Sequence, residues 1–208
     1  MNRIAGGAPE LAPELVLGAL AGVVVLLGLL AWHLWRRRRD FRHRIRRLLR
    51  HGGCGMLERV AVEDALGGHV HFDFLVLTPG GVLALELRDY EGTVFGAETM
   101  EEWTQITTAG SFRFPNPLPA LAAGRDALRV LRPGLEVDAC VLFSPAGRFQ
   151  GTPPPGVLDL AGLRARLPGR RGCRSLPEAW RVEWLRLKAM LRQAPEVEAG
   201  AEAEAEAV

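Results

Sequence analysis

An uninterrupted apolar run from Leu15 to Trp35, LVLGALAGVVVLLGLLAWHLW, constrains this chain more than any other feature, because it holds no Asp, Glu, Lys or Arg. An α-helix needs about 20 apolar residues to cross the hydrocarbon core of a bilayer. Trp32, His33 and Trp35 close the run, where amphipathic rings favour the headgroup layer. Arg36-Arg37-Arg38-Arg39 follows at once. Charge this dense resists translocation, so the positive-inside rule predicts a single-pass inner-membrane protein with its C-terminal side in the cytoplasm. Residues 1–14 would then form a short extracytoplasmic N-terminus. A cleaved signal peptide carries its positive charge before the apolar run, and here the charge comes after it. Gly18-x-x-x-Gly22 has a spacing that lets two such helices pack closely.

The net charge of +2 hides an uneven distribution. Residues 36–50 carry nine Arg against one Asp, and residues 195–208 carry five Glu and no cation. The rest is close to neutral. Within 36–50, Phe41, Ile45, Leu48 and Leu49 recur at helical spacing. This predicts a basic amphipathic helix, Arg36 to Arg50, lying on anionic lipid headgroups. A nucleic-acid arm is the alternative. The Ala-Glu repeats of the tail predict disorder. Cys54, Cys140 and Cys173 are odd in number and widely spaced, without a Cys-x-x-Cys, which argues against a zinc site. Buried or idle thiols in a reducing compartment are expected.

Residues 51–194 read as one α/β domain, a mixed sheet flanked by helices. His51-Gly52-Gly53-Cys54-Gly55 is expected to be a flexible joint. Met56–Asp64, Val70–Leu77 and Val82–Arg88 have strand character, the last two joined by Thr78-Pro79-Gly80-Gly81 as a hairpin. Thr93–Phe95 suggests a short strand, and Trp103 opens a polar stretch to Ser111. Asn116-Pro117 starts a helix to about Leu131, with Leu121, Leu128 and Leu131 inward. Val137–Phe143 is a buried strand, and Asp159 caps a helix ending near Leu167. Ser175-x-x-Glu178 predicts a capping box before a helix from Leu176 to Gln193. Its stripe of Leu176, Trp180, Trp184, Leu187 and Leu191 predicts a docking face.

The hairpin holds the chemistry. With Pro79-Gly80 at its tip, Leu77 faces Val82, Leu75 faces Ala84, Asp73 faces Glu86 and His71 faces Arg88, all on one side. Phe72, Phe74, Val76, Leu83, Leu85 and Leu87 then form the opposite, core side. An Asp directly across from a Glu repels it. A cation between them relieves the repulsion, and two carboxylates with a backbone carbonyl, here that of Leu87, suit Mg²⁺. Arg88 adds positive charge beside the pair. Carboxylates, a divalent metal and a cation are the parts of a phosphodiester hydrolase. The plainer alternative is a solvated polar row at a hairpin end. Arg125, Arg129 and Arg132 share one side of the Asn116 helix and are a candidate phosphate-binding patch.

At these residues the sequence resembles the nuclease-related domain family, a branch of the PD-(D/E)xK nuclease-like superfamily. The resemblance runs from about residue 56 to 167. It rests on Phe72-Asp73-Phe74-Leu75-Val76-Leu77, Gly81-Val82-Leu83-Ala84-Leu85-Glu86-Leu87-Arg88, Tyr90-x-Gly92, Gly96, Trp103 and Phe114-x-Asn116-Pro117-Leu118. It implies a restriction-endonuclease-like core and a Mg²⁺ site held by Asp73 and Glu86, with DNA as substrate. Arg88 stands where the family has Lys, and Ala120 where it usually has Gln. Lys exchanges protons and Arg stays charged, so Arg88 is expected to stabilise phosphate charge and not to act as a base. His71 is an auxiliary candidate for proton transfer. The competing reading is a catalytically inactive nuclease fold that serves as a nucleic-acid or protein interaction module at the membrane.

Overall fold

The computed structural model describes residues 13–65 and 67–193; in the first helix, side chains are described for 22–29, 32 and 40–52. The N-terminal residues 1–12 and the Ala-Glu tail lie outside these. Helix α1 (Pro13–Gly52) joins the expected span and the basic segment in one continuous helix. Among the described residues no helix is long and apolar enough to cross a membrane. Most side chains of the expected span 15–35 lie outside that set. Those that are described, Val23 to Leu27, Leu29 and Trp32, are exposed.

The chain divides into two compact units, one ending at His43 and one beginning at Arg44. The second opens inside the segment expected to lie on headgroups. Ile45 and Leu49 are buried, at 1% and 0% exposure. Burying a Leu or Ile side chain is worth about 1.5–3 kcal/mol. This part of the apolar stripe is therefore spent on the protein's own core. Arg44, Arg47 and Arg50 stay exposed, while Arg46 pairs with Glu58 at 2.6 Å.

Two sheets follow. The first has five strands in the order β1 (Gly55–Glu63), β2 (His69–Thr78), β3 (Gly81–Arg88), β7 (Val137–Phe143) and β9 (Val157–Leu158). The second has the order β6 (Gly110–Pro115), β5 (Glu102–Thr107), β4 (Gly92–Phe95) and β8 (Gly147–Phe149). Strands β1 to β3 are antiparallel, and β7 and β9 continue in parallel. The mixed α/β architecture matches the expectation. A β5–β6 hairpin stands where the sequence suggests only a polar stretch; Trp103, Thr104, Ile106, Phe112 and Phe114 carry the β-propensity that Gln105, Ser111 and Arg113 obscure.

Helix α2 (Leu118–Leu131) covers one face of the first sheet. Its Leu121 and Leu128 join Leu75, Leu77, Val82, Ala84, Val137 and Val141 in the main cluster. The other face, with Phe74, Val76, Leu83, Leu85, Cys140 and Leu142, is equally buried. Both hairpin faces are thus core near its tip, and α3 (Leu160–Arg166) packs against β7 and β9. Asp159 caps α3 by accepting Gly162 N–H at 2.7 Å. The short helix α4 (Gly169–Gly172) and a 3₁₀ turn, Cys173–Ser175, lead to α5 (Glu178–Gln193). Trp184 and Leu187 of α5 enter the main cluster, and Leu176, just ahead of it, does so too; Trp180 and Leu191 pack on the cluster. The expected stripe thus packs as a docking face. The expected capping box does not form. Ser175 donates its hydroxyl to Gly172 O at 2.7 Å, because the chain there is still in the 3₁₀ turn.

Two expectations drawn from residues 51–55 and the cysteines are corrected. The joint is not loose: Gly53 N–H bonds Leu49 O and Cys54 N–H bonds Leu77 O, both at 2.8 Å. Nor are the thiols all idle. Cys54 and Cys173 form a disulfide, with Cα atoms 5.2 Å apart. Separated by 119 residues in sequence, the two could not be paired from spacing. Cys140 remains as a buried free thiol, its pKa pushed up to about 12 by burial and by the neighbouring Asp138.

A disulfide closing so long a loop restricts the unfolded chain strongly. Cys54→Ser/Cys173→Ser should lower the unfolding free energy by about 2–4 kcal/mol in urea titrations. A loss near zero would show that the bond adds nothing to stability.

Candidate functional site

The hairpin register is the one that the turn predicts. Leu77 pairs with Val82, Leu75 pairs with Ala84, and Thr78 closes on Gly81. Thr78 donates its hydroxyl to Gly81 O and accepts Gly80 N–H, which fixes the tip. Like charges across two strands cost less than about 1 kcal/mol, whereas each buried Leu or Val is worth about 1.5–3 kcal/mol. The apolar pairs therefore set the register and bring Asp73 and Glu86 level with each other.

The ladder stops short of them. Its last pair is Phe74 with Leu85. Beyond it β2 stays with β1, where His71 pairs with Ala61, while β3 stays with β7, where Glu86 pairs with Val141 and Arg88 with Phe143. The strands fork here. Leu87 N–H crosses the gap to the Asp73 carboxylate at 2.6 Å. Arg88 pairs with Glu86; the Glu86 side chain is 16% exposed and that of Arg88 46%. Asp73, Glu86, Leu87 and Arg88 are thus brought together. His71 is not. It is exposed on β2, paired with Ala61, so the expected pairing with Arg88 does not exist.

Tyr90 is a neighbour that sequence reasoning marks only as a pattern residue. It stacks on Phe114 with centroids 4.5 Å apart and meets Phe143 edge-on at 5.4 Å. Trp103 and Phe149 extend this aromatic cluster and tie the second sheet to the end of β7. Burial raises the Tyr90 phenol, Arg88 lowers it and Glu86 raises it, so the ring senses both charges. Other pattern residues are scaffold. A Cβ on Gly96 would lie 2.4 Å from the Trp103 ring. Asn116 donates to Glu98 O and Met100 O and accepts Leu118 N–H, tying that loop to the start of α2.

The donor set suits magnesium in kind: two hard carboxylates at a backbone fork, for an ion that often takes one or two and keeps its waters. Among the described residues, no group of three or more His, Cys, Asp or Glu could hold a metal. Glu86 already has a cationic partner, so an entering ion competes with Arg88. The α2 arginines have local partners: Arg125 and Arg129 pair with Asp126, Arg129 also donates to Val137 O, and Arg132 approaches Glu183.

The chain belongs to the nuclease-related domain family, whose model matches residues 35–144. It is also similar to an uncharacterized protein of Bacillus anthracis, 32% identical over 62 residues, which is 30% of this chain and 29% of that protein. The chain thus spans less than a third of that relative. No solved structure matches the chain.

Tyr90 is the chain's single tyrosine, so ultraviolet titration reads it directly. It should ionise above the ordinary tyrosine value. Glu86→Gln should move that ionisation down and Arg88→Ala should move it up. An unshifted phenol would place the ring away from the carboxylate site.

Proposed function

We propose that this chain is a membrane-anchored nuclease-related protein whose Asp73 and Glu86 hold Mg²⁺ for hydrolysis of DNA phosphodiesters. The observation that supports this reading most is the contact of Asp73 with Leu87 N–H, which holds one carboxylate beside the other at the fork. The Leu87 carbonyl is the proposed third donor. Bound magnesium would supply Lewis-acid stabilisation of the phosphate and an activated water. Arg88 neutralises phosphate charge and exchanges no proton, because a guanidinium stays charged. In this reading the site is degenerate relative to the family's Lys, and phosphate binding requires Arg88 to release Glu86. Full-length protein in detergent should cleave single-stranded or duplex DNA with Mg²⁺ or Mn²⁺. Asp73→Ala should reduce that cleavage by about 100-fold or more. Cleavage retained in the variant would exclude this mechanism.

The Arg88–Glu86 pair favours a second reading, an inactive nuclease fold acting as an interaction module. A folded protein that binds DNA or a partner without cutting, and that Arg88→Lys does not revive, would establish it.

The anchor is the segment 15–35. Nine Arg against one Asp in 36–50 favour a cytoplasmic domain and contact of the outward arginines with anionic lipid headgroups. The Cys54–Cys173 disulfide pulls the other way, since such bonds persist in oxidising compartments. A C-terminal reporter active only in the cytoplasm should be active. An inactive reporter, with Cys54 and Cys173 resistant to alkylation in cells, would place the domain outside.

A further inference from the structure

Arg59 is the one non-glycine residue with positive φ among the described residues, at 51°. Left-handed backbone is sterically costly for residues with a Cβ and out of place inside a strand. Arg59 sits in the middle of β1 and level with Asp73 on β2. The β1–β2 ladder runs to Glu58↔Phe74, omits Arg59 and Asp73, and resumes at Val60↔Phe72.

Both strands change face across this break. On β1, Glu58 reaches Arg46 of α1, but Val60 is buried in the main cluster on the α2 side. On β2, Leu75 and Leu77 belong to that cluster, and so do Val70 and Phe72. Unbroken alternation would put the second pair on the opposite face. Gly124 of α2 marks where they point, since a Cβ there would lie 2.7 Å from both Phe72 and Val70. The same turnover moves His71 off the face that simple alternation assigned to it.

In a regular strand, side chains stand roughly perpendicular to the sheet, while the amides of the neighbouring strand lie in its plane. A regular β2 would aim Asp73 at the α2 side, away from the in-plane Leu87 N–H. We propose that Arg59 is a positioning residue whose left-handed backbone turns β1 and β2 over together and so delivers the Asp73 carboxylate to Leu87 N–H, beside Glu86. The Arg59 side chain is exposed, so the backbone conformation carries this role and the guanidinium does not. The proposal deepens the reading of Asp73 as a site residue and rests on it for its functional meaning.

The test is NMR of the full chain in detergent, labelled at leucine nitrogen, with chemical denaturation alongside. In the parent protein the Leu87 amide should be protected from hydrogen exchange by its bond to Asp73, and Asp73→Ala should remove that protection. At an ordinary strand position Val stabilises and Gly destabilises; at a left-handed position the order reverses. Arg59→Gly should therefore unfold at the same or higher denaturant concentration and keep the Leu87 protection. Arg59→Val should unfold earlier and lose it. A Val variant that is the more stable of the two, or that keeps the protection, overturns the proposal. So does a folded Gly variant that loses it, or a parent protein in which Asp73→Ala leaves the Leu87 protection unchanged. If Arg59→Val fails to fold, the Gly variant alone decides. The readout is an amide exchange rate, so an inert nuclease leaves the outcome unaffected.

Discussion

Leu87 must give its amide proton to something, and Asp73 is what it meets. A buried or half-buried N–H without a partner costs free energy comparable to a lost hydrogen bond. Where β2 and β3 part company, β3 loses the backbone partner that an unbroken hairpin would provide. A carboxylate oxygen takes the vacant place at 2.6 Å. One contact thereby closes the sheet at its fork and sets one acid beside another. Separation of β2 and β3 gives room at the site, and the hydrogen bond keeps the separation from running further.

The fork has its own cause in the order of the strands. β3 is central, with β2 on one side and β7 on the other. Its first half pairs with both neighbours, and its second half pairs only with β7. The aromatic cluster of Tyr90, Trp103, Phe114, Phe143 and Phe149 then packs the second sheet against the end of β7 and β3. Glu86 and Arg88 project from a strand end held by packing on one side and open on the other. That support fixes the place of the Glu86–Arg88 pair at the fork.

The sequence makes the hairpin legible because Pro79-Gly80 and the alternating Leu and Val residues leave one register that buries them all. Helix α2 and strand β7 are legible for the same reason, as strong local patterns. Three features are not. The turnover at Arg59 has no local signature, since Arg favours neither strand break nor left-handed backbone. The Cys54–Cys173 bond joins residues with no relation in spacing. Helical spacing does not show that Ile45 and Leu49 are buried within the protein. An amphipathic stripe states that something apolar covers it, and the covering surface is a tertiary fact.

The disulfide has a mechanical consequence. Helix α1 runs into Cys54 through Gly53, and Cys54 is bonded across to the turn that precedes α5. Tension applied along α1 reaches a covalent branch before it reaches the interior of β1. Part of the load passes to the C-terminal segment, so the first strand cannot be peeled from the sheet by its leading residue alone. Reduction of that bond would turn a shared load into a zipper.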